Sequence, residues 1–179
     1  YAFAARAFGR RIALLAGLVL GTAVTYAISC RMVLTDVVFA FFVCASCFAS
    51  VTAVLAERRR TGLWLLAFAC AGIAGLVKGP LGGLIPLLAG WTFAWVSRRP
   101  PAPDRRVALL GIATALAIAA PWYVVMIARY GWGYAHAFFI HENVSRLFVA
   151  EHPENNHPLY YIVLIVAGSL PWIPAVLVG

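Results

Sequence analysis

The stretch VLTDVVFAFFVCASCFASVTAVLA, residues 33–56, decides the fold. Asp36, near its start, is its one charged side chain, and Glu57-Arg58-Arg59-Arg60 closes it. As a helix the stretch would rise about 36 Å, enough to cross a hydrocarbon core of about 30 Å. It has no charged face to meet water, so it reads as a membrane span and not as the surface helix of a soluble domain.

Further apolar runs lie on both sides: residues 12–29 before it, and residues 62–77, 81–96, 107–128 and 159–178 after it. A segment in lipid must satisfy its own backbone hydrogen bonds, so each run is expected to be helical. The pattern predicts an all-α membrane protein: a multi-pass helical bundle of about six transmembrane helices over residues 1–179, with residues 129–158 as a polar loop at the outer face. The third and fourth runs are short, so flanking residues must complete them. Gly79-Pro80 marks the turn between these two. Gly17 and Gly21, at GxxxG spacing, permit close helix approach in the first run. The linker SRRPPAPDRR, residues 97–106, is the most polar and proline-rich join.

Composition agrees with a bilayer. Of 179 residues, 64% are hydrophobic and 11% charged, and the mean hydropathy is +0.91, whereas soluble domains are about 45–50% apolar. The net charge of +8 does not point to nucleic acid, because the basic residues form no stripe on a folded face. Cys30, Cys44, Cys47 and Cys70 all lie in or beside apolar runs, so the CxxC spacing of Cys44 and Cys47 reads as helix packing and not as a redox or zinc motif. The opening YAFAARAFGRR has no signal-peptide pattern, and both ends of the chain read as cut from something longer.

If the runs alternate in direction, the basic residues divide unequally. Arg6, Arg10, Arg11, Arg58, Arg59, Arg60, Arg98, Arg99, Arg105 and Arg106 fall on one side, and Arg31, Lys78, Arg129 and Arg146 on the other. The positive-inside rule assigns the first group to the cytoplasm. Arg31, Asp36, Lys78 and the loop 129–158 then converge at the outer face, flanked by Trp122, Tyr123, Trp132, Tyr134, Tyr160 and Tyr161 as an aromatic belt.

Polar chemistry is concentrated in AHAFFIHENVSRLFVAEHPENNHP, residues 135–158, which holds all 4 histidines and, of the 6 acidic residues, Glu142, Glu151 and Glu154. Residues 138–145 read as a short interfacial helix leading to Arg146. The Arg146 guanidinium can bind a phosphate with two parallel hydrogen bonds; its alternative is an i,i+4 ion pair with Glu142. Lys78, the only lysine, stands just before Gly79-Pro80, where a fixed ammonium suits a phosphate; its alternative is a cation that snorkels from a helix end. Asp36 lies within the first turn of its run, and an intramembrane carboxylate is a functional candidate, with capping or a local pair with Arg31 as the alternative. His141, Glu142, His152, Glu154 and His157 are possible metal ligands, although their spacing matches no strong zinc pattern; for His152 and His157 the default is contact with water.

RMVLTD at residues 31–36, LVKGPLG at residues 76–82, and FFIHENVSRLF followed by HPLYY and GSLPW within residues 138–172 occur in one order. Together they resemble the bacterial aminoarabinose transferases and related protein-mannosyltransferase-like enzymes, integral-membrane glycosyltransferases of the GT-C type. The resemblance covers nearly the whole chain. It implies transfer of a sugar from a polyprenyl-phosphate donor to a lipid A-like, other lipid or protein acceptor at the outer face of the bacterial inner membrane. By the same resemblance Lys78 and Arg146 hold the donor phosphate, and Asp36 is a supporting acid behind the active site. Asp36 and His141 share a metal, such as zinc, in some members. The family's catalytic base lies in a first outer loop upstream of Tyr1. The chain by itself is therefore expected to be inactive.

The competing expectation is a transporter or channel subunit with an anion-attracting vestibule. Transporters place polar sites near the bilayer midplane on broken helices, whereas the polar residues here are predicted at one surface. A purely structural membrane subunit is a third reading, and it requires the outer-face residues to be freely replaceable.

Overall fold

A computed structural model describes residues 1–32, 34–56, 60–97, 103–145 and 158–178. Among them every regular element is a helix: α1 (Ala2–Phe8), α2 (Arg10–Thr22), α3 (Val24–Arg31), α4 (Thr35–Leu55), α5 (Thr61–Lys78), α6 (Pro80–Val96), α7 (Arg105–Ala135), a π-helix (His136–Ser145), α8 (Pro158–Gly168) and α9 (Ile173–Val178). The fold is all-α, as the apolar runs require. Helices α4 and α5, and α7 continued through Ile140, are long and apolar enough to cross a membrane, and α2 with α3 makes a fourth if the bent pair is one span. Helix α6, at 17 residues, rises about 25 Å and needs its flanks to complete a crossing.

The chain divides into two compact units, residues 1–37 with 150–179, and residues 38–149. In the first unit both expected spans are interrupted. Helices α2 and α3 meet at an angle of 65°, at Ala23, whose ψ of 128° is extended. Helix α8 ends at Gly168, and α9 begins at Ile173. The interruptions complete each other: the Val24 N–H, at the start of α3, donates to the Leu170 carbonyl at 3.0 Å, and the Trp172 indole N–H donates to the Thr22 hydroxyl at 2.8 Å. Thr25 packs on Gly168. Backbone groups released by a break in lipid must find partners, and here each break supplies groups to the other.

In the second unit the contacts fix the direction of every helix. Along α4 and α6, Phe39 lies on Gly82 and Ser50 on Gly90, so these two run parallel. Along α5 and α7, Phe68 lies on Gly111 and Gly72 on Ala115, so these also run parallel. Helices α5 and α6 pair Ala74 with Gly82 and Ala71 with Gly83 and therefore run antiparallel. The unit is an up-down-up-down bundle. One end holds the α5–α6 turn, and the other holds Arg60, Arg105 and Arg106.

Side-chain size explains the packing. The buried positions are mainly small: Ala67, Ala74, Ser46 and Ser50 are 0% exposed, whereas Phe41, Val124 and Leu116 are 66%, 63% and 58% exposed. A soluble fold buries its large apolar side chains; a bundle in lipid gains little from that and lets backbones approach through small residues. The Ser46 hydroxyl donates to the Ala67 carbonyl at 2.8 Å, tying α4 to α5. Larger residues close the bundle near its basic end, where Val54, Trp64, Phe68 and Ala94 form one cluster. Asp104 caps α7 there, its carboxylate accepting from the Val107 N–H at 2.9 Å. Among the described residues the close approaches do not involve Gly17 and Gly21, where a methyl group would meet no atom within 4 Å.

Candidate functional site

Lys78 is the last residue of α5, exposed, and followed by Gly79 with φ 89° and ψ 173°. That conformation is open to glycine and strained for other residues, so the helix stops there. Pro80 then opens α6, where a missing N–H costs nothing. The sequence KGP thus sets an ammonium on a sharp corner between two antiparallel helices.

The second polar stretch reaches the same end by a different route. Helix α7 runs past Tyr123 as far as Gly131, whose φ of 73° and ψ of −172° break the helical path. From there the chain folds back. A straight helix would carry residue 138 about 22 Å from residue 123, yet the ring centres of Phe138 and Phe139 both lie 5.5 Å from that of Tyr123. Tyr134 stacks on Phe138 at 5.8 Å. The expected short helix over residues 138–145 is present as part of the π-helix His136–Ser145, which follows α7 directly. The polar loop expected from residue 129 is therefore helical through Ser145.

Tyr123 joins the two features. Its hydroxyl donates to the Gly75 carbonyl at 2.6 Å, one turn before Lys78, while its ring packs on Phe138 and Phe139. Sequence reading placed Tyr123 in an aromatic belt. The structure instead has it half-buried, whereas Trp122, beside it in sequence, and Trp132 are exposed. Only a contact across 48 residues distinguishes it from its neighbours, and no local pattern announces such a contact.

The remaining site residues stand as follows. Asp36 is exposed in the first turn of α4, where a carboxylate complements the helix N-terminal dipole, and it belongs to the first unit. The backbone of His141 and Glu142 is in the π-helix. The side chains of His141 and Glu142, and all of Arg146, Glu151, His152, Glu154 and His157, lie outside the described residues. Among the described residues no group of three or more His, Cys, Asp or Glu side chains is placed to hold a metal ion. Asp36 and His141 would supply two ligands, fewer than a zinc site needs.

Residues 1–125 match the model of the dolichyl-phosphate-mannose-protein mannosyltransferase family. The chain is similar to the undecaprenyl phosphate-alpha-4-amino-4-deoxy-L-arabinose arabinosyl transferase of Erwinia tasmaniensis, with 30% identity over 92% of this chain and 30% of that protein. A protein of the same name from Sodalis glossinidius, numbered 1, is 30% identical over 77% of this chain and 25% of its own length. One from Proteus mirabilis, numbered 2, is 30% identical over 92% of this chain and 30% of its own length. The chain thus spans less than a third of the length of the curated relatives it matches. No solved structure matches it.

Proposed function

The chain belongs to the dolichyl-phosphate-mannose-protein mannosyltransferase family, and on that footing we propose that it forms the donor-phosphate side of a membrane glycosyltransferase. The donor is a polyprenyl-phosphate sugar, and the acceptor is a lipid A-like molecule or another outer-face lipid or protein. The observation that carries this reading is the placement of the Lys78 corner and the Phe138-Phe139 segment at one end of one bundle, joined through Tyr123.

The chemistry follows from charge. When the bond from the sugar's anomeric carbon to the phosphate oxygen breaks, negative charge grows on the departing phosphate. A cation fixed beside that oxygen stabilises the transition state more than the ground state. Lys78 supplies one positive charge on a rigid corner, and Arg146 supplies a planar guanidinium for two phosphate oxygens. The acceptor hydroxyl attacks the anomeric carbon and loses its proton to a base. That base belongs to a part of the protein outside this chain, and Asp36 serves as a supporting acid. Asp36 and His141 would be two ligands of any zinc bound, the others coming from elsewhere, and no step here depends on that ion.

The grip faces the outer side of the inner membrane, because the opposite end of the bundle holds Arg60, Arg105 and Arg106, and in the sequence these adjoin the further arginines Arg58, Arg59, Arg98 and Arg99. The transporter reading draws on the broken helices of the first unit, but there the Val24 N–H is bonded to the Leu170 carbonyl and the Trp172 indole N–H to the Thr22 hydroxyl, so these groups are not offered to a transported ion. The experiment is sugar transfer by a full-length protein carrying this chain, using undecaprenyl-phosphate aminoarabinose as donor. Lys78→Ala is expected to reduce transfer at least tenfold at equal expression; unchanged transfer would remove Lys78 from the site.

A further inference from the structure

Tyr123 does two jobs at the Lys78 end of the bundle, and neither is needed simply to fill space. Gly75 is the first residue of α5 whose carbonyl would need an N–H from residue 79, beyond the helix. At residue 79 the backbone leaves the helical path with φ 89°. The Tyr123 hydroxyl donates to that Gly75 carbonyl at 2.6 Å, from a different helix. It therefore caps the last turn of α5, the turn whose final residue is Lys78. On its other side the same ring is the surface on which Phe138 and Phe139 rest, each at 5.5 Å. Those two residues return to Tyr123 only because Gly131 reverses the chain.

We propose that Tyr123 is a positioning residue for donor binding, setting the Lys78 ammonium and the Phe138-Phe139 segment in register with each other. The proposal rests on the reading of Lys78 as a phosphate ligand. The ring alone would hold the aromatic cluster, so the hydroxyl is the part that fixes the end of α5. A hydroxyl aimed at a carbonyl in the last turn restrains the direction in which the next three residues leave the helix. Loss of that restraint lets the Lys78 corner move, and a phosphate held by its ammonium senses such movement as weaker binding.

The test is donor kinetics in the full-length protein with undecaprenyl-phosphate aminoarabinose, comparing wild type, Tyr123→Phe and Lys78→Ala. Tyr123→Phe keeps the ring and removes one hydrogen bond. Its donor KM is expected to rise about fivefold, with kcat within about twofold and the melting temperature in detergent lowered by no more than the few degrees that one net hydrogen bond accounts for. Tyr123→Leu, which also frees the two phenylalanines, is expected to raise the donor KM further. If Lys78→Ala impairs donor use while Tyr123→Phe leaves the donor KM at the wild-type value, the positioning role is overturned and the phosphate reading stands. A Tyr123→Phe effect that falls on kcat alone, or that a smaller folded fraction accounts for in full, also overturns it. If Lys78→Ala leaves donor use intact, the phosphate reading fails and takes this inference with it.

Discussion

Lys78 and Tyr123 illustrate what a single residue does and does not reveal. A lone lysine before Gly-Pro is legible in sequence, because glycine's tolerance of positive φ and proline's suitability at a helix start require a corner there; the structure puts φ at 89°. Tyr123 is one of several aromatic residues near a helix end, and its bond to Gly75 is made by the packing of α7 on α5. Arg146 is legible only as a residue type following the FF-H pattern. Its geometry still yields an expectation, since lysine keeps the charge of arginine but not the planar fork that meets two phosphate oxygens. Arg146→Lys is expected to retain at most about a tenth of the transfer activity of the full-length protein, a loss matching the roughly 1.4 kcal/mol or more that a second charge-assisted hydrogen bond contributes. Full activity at normal expression would show that no bidentate contact is made.

The apolar runs locate α4, α5 and α6 to within two residues, because hydropathy alone dictates them; α7 continues seven residues past its run, to Ala135, and α1 lies in no run. Where a helix is divided is another matter. Neither Thr22 nor Ala23 is a helix breaker, and the bend there coincides with hydrogen bonds to Leu170 and Trp172 far along the chain. Close contacts behave likewise. The GxxxG pair Gly17 and Gly21 is suited by spacing to close approach, yet among the described residues nothing stands within 4 Å of a Cβ placed on either, whereas a Cβ on Gly83 would lie 2.6 Å from the Ala71 carbonyl oxygen. Spacing shows that an approach is permitted, while the partner that makes it comes from the tertiary fold. Backbone cannot yield as a side-chain tip does, so Gly83→Val must push α6 away from α5. A cost of about 1–3 kcal/mol is expected for such overpacking, read as a lower melting temperature in detergent. Gly17→Ala serves as the comparison and should lie within about 0.5 kcal/mol of wild type; equal effects of the two would argue against the α5–α6 contact.

At the scale of the molecule, the two ends of the second unit differ in kind. One end has Arg60, Arg105 and Arg106 beside the cluster of Val54, Trp64 and Phe68. The other has the Lys78 corner, the Tyr123 bond and the returning aromatic segment. The alternation of direction assumed from sequence is visible in the contact register of α4 to α7, and the proposed orientation comes from reading the ten-to-four division of basic residues in the sequence by the positive-inside rule. The account depends on that orientation, since a donor and acceptor that meet outside the membrane must find the phosphate grip there. The measurement is labelling of intact cells with a membrane-impermeant thiol reagent, in a full-length protein whose Cys30, Cys44, Cys47 and Cys70 are replaced by alanine and which carries either Asn143→Cys or Ala102→Cys. Labelling at position 143 and protection at position 102 is the predicted result. Labelling at position 102 with protection at position 143 would place the Lys78 end in the cytoplasm and contradict the account.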